Sequence, residues 1–158
     1  LQLWAGRYLP TDALSIPTGE LASVDGTPFD FRTPRRIGDR INADDAQIRI
    51  GHGYDHCFVI DRPSVNDKAL RLCARVLEPG SGRVMEVATT EPGVQFYTAN
   101  GMSGIVGTSG REYQSRSGFC LETQHFPNSP NEPSFPSTVL RPGEPFHSVT
   151  EFRFSVET

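Results

Sequence analysis

The chain has 158 residues, enough for one domain with a buried core. Its 19 acidic and 15 basic residues give a net charge of −4, which argues against a nucleic-acid surface. No run of about eighteen apolar residues is present, so no membrane-spanning helix is expected, and no basic, then apolar, leader opens the chain.

The opening Leu1-Gln2-Leu3-Trp4-Ala5 reads as mid-domain strand. With no starting Met and no polar tail, it suggests a fragment or a processed chain. A long loop follows from Pro28 to Ile48, carrying Arg32, Arg35, Arg36 and Arg40, with a short helical turn around Ile37–Ile41. Helix signals are otherwise almost absent, because 15 glycines and 13 prolines interrupt the chain too often.

Cys57-Phe58-Val59-Ile60 is an apolar strand with Asp55 at its mouth. Leu70, Leu72, Ala74 and Val76 alternate with Arg71, Cys73 and Arg75. This strand pairs with Val84–Thr89 as a hairpin through the turn Glu78-Pro79-Gly80-Ser81-Gly82. Gly93–Thr98 is another strand, and so is Gly118–Pro127. The segment from Pro127 to Pro145 holds six prolines, a stiffness that predicts packing against the sheet. Phe152, Phe154 and Val156 alternate near the C-terminus and are expected to face a core. Short strands separated by turn signals predict an all-β antiparallel sandwich. Cys57, Cys73 and Cys120 each sit in an apolar run. An odd count without a CxxC pair predicts buried free thiols in a reducing, cytoplasmic compartment.

Three stretches hold residue types suited to chemistry. In the strand around Leu121, period-2 alternation sends Phe119, Leu121 and Thr123 one way. Cys120, Glu122, Gln124 and Phe126 go the other way. A carboxylate in an apolar strand is costly unless paired, hydrated or used. Glu122 therefore reads either as a solvent-facing glutamate on an amphipathic strand or as a functional group. Beside it, Gln124 would complete a grip for a polyol. Asp55 can accept two sugar hydroxyls, although a turn or strand cap is the commoner use of such an aspartate. Gln95 shares a face with Tyr97 and offers both a donor and an acceptor; the plainer alternative is an exposed-face glutamine. His52 and His56, four apart, lack a third ligand and are flanked by helix-breaking Gly51 and Gly53, so no metal site is expected.

Taken in order, these stretches resemble the aldose 1-epimerase (galactose mutarotase) family over nearly the whole chain. The resemblance is carried by Leu3-Trp4-Ala5-Gly6-Arg7-Tyr8-Leu9-Pro10, Ile16-Pro17-Thr18-Gly19-Glu20 and Gly26-Thr27-Pro28-Phe29-Asp30-Phe31-Arg32. It continues through Gly53-Tyr54-Asp55-His56, Thr89–Tyr97 and Leu121-Glu122-Thr123-Gln124-His125-Phe126-Pro127. It implies a galactose mutarotase-like supersandwich, of which residues 1–158 form the C-terminal portion of a single domain.

By the same resemblance, Glu122 matches the general base, and Asp55 and Gln95 match positions that bind the sugar. The implied activity interconverts the α and β anomers of free aldoses such as galactose and glucose, without cofactor or metal. Cys57 departs from the family's frequent Asn. The family's acid histidine, a second histidine and a sugar-holding arginine belong to motifs upstream of those present here; His52, His56, His125 and His147 do not match them. The fold is thus expected to be incomplete, and this chain inactive alone, without an N-terminal half, covalent or separate. Two alternatives remain: a non-catalytic carbohydrate-binding sandwich, and a hexose-6-phosphate mutarotase using the Arg32–Arg40 loop.

Overall fold

The computed structural model describes residues 1–64 and 67–157. In chain order the strands are β1 (Gln2–Leu3), β2 (Arg7–Tyr8), β3 (Ala22–Ser23), β4 (Asp55–Val59), β5 (Arg71–Glu78) and β6 (Arg83–Thr89). There follow β7 (Gly93–Tyr97), β8 (Ile105–Val106), β9 (Glu112–Tyr113), β10 (Cys120–Gln124) and β11 (Thr150–Val156). One α-helix, α1 (Ala46–Gly51), precedes β4.

Two antiparallel sheets pack face to face, as the alternating strands predicted. One has the order β1-β5-β6-β11 and the other β10-β7-β4-β2-β3; β8 and β9 form a separate small hairpin. Leu3, Ala74 and Val87 from the first sheet meet Phe58, Val94, Phe96 and Leu121 from the second in one core. Burial of such side chains contributes roughly 1.5–3 kcal/mol each before entropic costs.

The loop beginning at Pro28 is anchored rather than free. Phe29 and Phe31 are buried. Phe29 stacks on Tyr8 with ring centroids 4.4 Å apart, Phe31 meets Phe96 edge-on at 5.7 Å, and Tyr54 Oη donates to Pro28 O at 3.1 Å. The expected helical turn is a 3₁₀ turn over Ile37–Asp39. Helix α1 begins in the last three residues of what reads as loop and runs on to Gly51, where the glycines at 51 and 53 read against a helix. Asp45 caps it by accepting from Gln47 N and Ile48 N, and His52 ends it in the left-handed conformation. Six residues are too few to show a helical period.

The hairpin of β5 and β6 forms as expected, but strict alternation in β5 does not hold. The register passes from Leu72↔Ala88 to Ala74↔Val87, so Cys73 is the extra residue of a bulge. Cys73 and its neighbour Ala74 are both fully buried. Burial raises the Cys73 thiol pKa to about 12.

Three expectations need correction. Phe152 and Phe154 pair in register with Val87 and Met85, so they lie on the core side of their sheet. Yet they are 49% and 75% exposed, and Val156 is exposed too. β11 is an edge strand; the second sheet meets it at Thr150, through Thr123, and among the described residues leaves Phe152, Phe154 and Val156 uncovered. Cys120 is exposed, unlike Cys57 and Cys73, because it lies on the open face of β10. The proline-rich segment packs only in its first part. Phe135 is buried against Phe126 at 5.3 Å between centroids, whereas Val139, Leu140 and Phe146 are exposed.

Candidate active site

Strands β4, β7 and β10 lie side by side. Their register sets Cys57, Gln95 and Glu122 in one row across the sheet, and Asp55, Tyr97 and Cys120 in the next. Residues directly opposite in antiparallel strands share a face, so all six project from the surface opposite the aromatic core. A third row, Val59–Gly93–Gln124, continues it. Gly93 leaves a gap that larger neighbours fill. A Cβ there would stand 2.7 Å from Cys57 Sγ and 3.1 Å from the Phe126 ring, so Cys57 and Phe126 can close in over Gly93 on this face.

An open depression of about 330 Å³ lies on this face, lined by Asp55, Gln95, Tyr97, Glu122 and Gln124, with Thr11 and Pro17 at its rim. That is at the small end of ligand pockets, which run from about 300 to 1,000 Å³. The structure therefore brings together Glu122, Asp55 and Gln95, three residues separated in sequence by up to 67 positions. Gln124 lines the same depression, as the alternation in β10 predicted.

Gln95 Nε2 donates to Asp55 Oδ1 at 2.8 Å. Gln95 Oε1 is buried and has no hydrogen-bond partner. Glu122 is exposed. Its neighbour Cys120 has its thiol pKa raised, first by partial shielding from water and then by the Glu122 carboxylate. A thiol shifted this way stays protonated near neutral pH and presents no nucleophile. Cys57 is buried at the back of the depression, and burial pushes its thiol pKa well up. It does not support Asp55.

Support for Asp55 comes instead from His56 and α1. His56 is buried. Its Nδ1 accepts from Asp55 N at 3.2 Å, and its Nε2 lies 3.1 Å from Gln47 Oε1. Together these contacts select the neutral tautomer with the proton on Nε2. Burial lowers the His56 pKa to about 4. Gln47 also grips the pocket rim, accepting from Thr11 N at 2.8 Å and donating to Thr11 O at 2.9 Å. The turn before Asp55 is held by Asn100, whose Nδ2 donates to Gly51 O and Tyr54 O. Gly53 has φ +139°, and a Cβ there would lie 2.4 Å from Asn100 Oδ1, so a side chain is excluded.

Sequence reasoning weighed His56 only as a metal ligand and gave no role to Gln47 or Glu91. Glu91 is buried, with His125 Nδ1 2.7 Å from Oε2. The contact is an ion pair only when the imidazole is protonated, and Glu91 Oε2 has no hydrogen-bond partner. The available signal was a glutamate just before the Pro-Gly that opens an apolar strand. The loop arginines take structural roles: Arg32 pairs with Asp25 and Asp30, and Arg40 Nη1 donates to Thr27 O at 2.8 Å. None of Arg32, Arg35, Arg36 and Arg40 lines the depression. Among the described residues no group of three or more His, Cys, Asp or Glu side chains is placed to hold a metal ion, and no helix is long and apolar enough to cross a membrane.

The chain resembles known proteins along nearly its whole length. The sequence model of the family described as Aldose 1-epimerase matches residues 1–153. The chain is 48% identical over 153 residues to galactose mutarotase of Bos taurus, covering 96% of this chain and 42% of that protein. It is 38% identical over 159 residues to aldose 1-epimerase of Escherichia coli, covering 99% of this chain and 45% of that one. The fold matches a galactose 1-epimerase from Lactobacillus acidophilus with TM-score 0.70 at 29% identity, covering 99% of this chain and 43% of that one. An aldose epimerase homologue from C. elegans gives TM-score 0.84 over 99% of this chain and 45% of its own, at 24% identity, a likeness of fold. The chain spans less than half the length of the curated relatives it matches.

Proposed function

The chain belongs to the aldose 1-epimerase family, and on that premise we propose that it carries the base and part of the sugar pocket of a mutarotase. The observation that carries this reading is the meeting of Asp55, Gln95 and Glu122 on one depression across three adjacent strands. The substrate is a free aldose of the galactose or glucose kind.

In this reading Glu122 takes the proton from the C1 hydroxyl. As the C1–O bond to the ring oxygen breaks, an acid delivers a proton to that oxygen, and an open-chain aldehyde results. Rotation about C1–C2 followed by the reverse transfers closes the ring on the other face. Each proton-transfer group is worth about 10²–10⁴-fold. Asp55 and Gln95 hold hydroxyls, with one Asp55 oxygen already fixed by Gln95. The acid comes from the part of the family's length that this chain does not span. That same part, covalent or as a separate chain, covers the exposed core-side face of β11 and completes one domain of which residues 1–158 are the C-terminal portion. Free Cys57, Cys73 and Cys120 are in keeping with a cytoplasmic setting.

Polarimetry of freshly dissolved α-D-galactose tests the assignment in the protein that contains this chain and the acid-bearing segment. Glu122→Gln, which cannot take the proton, should slow the approach to anomeric equilibrium by about 10²–10⁴-fold while sugar still binds. A near-normal rate would sink it. The 158-residue chain alone should give no acceleration.

A further inference from the structure

Among the described residues Glu122 has no bonded side-chain partner beyond the neighbouring Cys120 thiol, so its position depends on how the β10 backbone is held. The structure shows what holds it. Thr123, the next residue, points to the opposite face, where its Oγ1 lies 2.6 Å from Thr150 Oγ1 on β11. Thr150 Oγ1 lies 3.1 Å from Thr89 Oγ1 at the end of β6. Thr89 Oγ1 donates to Val149 O at 3.1 Å.

Each hydroxyl has one proton, so the direction of the chain follows. Thr89 spends its proton on Val149 O, Thr150 therefore donates to Thr89, and Thr123 donates to Thr150. Thr89 also accepts from Glu91 N at 3.1 Å. Glu91 then meets His125, two residues beyond Thr123. The strand carrying Glu122 is thus tied on its far side to β6 and β11, which belong to the other sheet. Thr89 is fully buried and Glu91 nearly so. Hydrogen bonds in such a setting are costly to leave unmade.

We propose that this hydroxyl chain is a brace for the base, and that Thr150, on the last strand of the other sheet, is a positioning residue for Glu122. The proposal rests on the reading of Glu122 as the base. Loss of the Thr150 hydroxyl leaves Thr123 without its acceptor and frees β10 to shift, and a shift of about 1 Å at a catalytic group can cost up to about 10²-fold. Because Asp55 and Gln95, the residues proposed to hold the hydroxyls, sit on β4 and β7 and β10 adds only Gln124 to the lining beside the base, binding is largely spared.

The test is mutarotation kinetics in the intact enzyme with Thr150→Val, Thr150→Ser and Glu122→Gln in parallel. Thr150→Val should lower kcat by about tenfold with KM within about twofold, and Thr150→Ser should restore kcat. Thr123→Val reads the same link from its other end and serves if Thr150→Val does not fold. Full kcat in whichever valine variant folds, or a loss in Thr150→Val that Thr150→Ser fails to rescue, overturns the brace. If Glu122→Gln keeps full activity, the base assignment itself has failed and the brace falls with it. If Glu122→Gln is inactive while the valine variant is normal, only the brace is lost. Amide exchange at Glu122 and Thr123 gives a second readout. It should quicken about tenfold or more in the valine variant, and unchanged exchange counts against the proposal.

Discussion

Gln95 Nε2 donates to Asp55 Oδ1 at 2.8 Å, although the two residues lie on different strands and 40 positions apart. Gln95 stands in register with Cys57, two residues along β4 from Asp55, so its side chain reaches diagonally to the carboxylate. One Asp55 oxygen is thereby committed before any sugar arrives, and the other remains for hydroxyls. Such preorganisation reduces the ordering cost of binding.

Replacing Gln95 by leucine separates these roles. The donor to Asp55 is lost, and so is the buried Oε1 that has no partner. An orphaned buried acceptor costs about 1–3 kcal/mol, so its removal offsets the lost hydrogen bond. Gln95→Leu is expected to lower kcat/KM for galactose by about tenfold or more with an unfolding midpoint in urea close to that of the parent. Mutarotation kinetics and equilibrium unfolding check the two halves of the prediction.

His56 predicts a pH dependence of stability. Its pKa is lowered from 6.5 to about 4, first by burial. The imidazole is therefore neutral in the fold and takes up a proton on unfolding anywhere between those values. The unfolded state binds more protons in that window, so stability rises with pH there. The contribution is fully present above about pH 6.5 and is lost as pH falls toward 4, amounting to about 3 kcal/mol. Urea midpoints measured from pH 7 to 4.5 should fall, and His56→Phe should flatten the curve.

Gly93 supports the pocket by what it lacks. A methyl there would meet Cys57 Sγ at 2.7 Å and the Phe126 ring at 3.1 and 3.2 Å. Gly93→Ala is expected to destabilise by about 1–3 kcal/mol through overpacking. Pairing it with Cys57→Ala should recover part of that loss. Urea unfolding of the single and double variants measures the coupling.

Much of the fold was legible in local pattern. The hairpin of β5 and β6, the strand at Gln95 and the strand at Glu122 appear where alternation and turn residues put them, and Gln124 joins Glu122 on one face. The bulge at Cys73 was not legible, since a side chain buried out of phase looks like any other member of an alternating run. Nor was α1, whose cap at Asp45 is clear only once six residues are seen to turn. The aromatic strand at Phe152 and Phe154 was read as core. Its side chains do point to the core side, but burial requires a second layer that the described residues do not supply.

The candidate site divides in the same way. Sequence by itself determined the strand character of the chain and which residue types could serve a sugar, because backbone propensity, alternation and short motifs act over a few residues. Only the tertiary structure decided that Asp55, Gln95 and Glu122 share one depression, that His56 backs Asp55 through its neutral ring, and that Thr150 reaches Thr123 from the other sheet. Those relations depend on strand order, register and sheet packing, which join residues tens of positions apart and leave no local trace in the sequence.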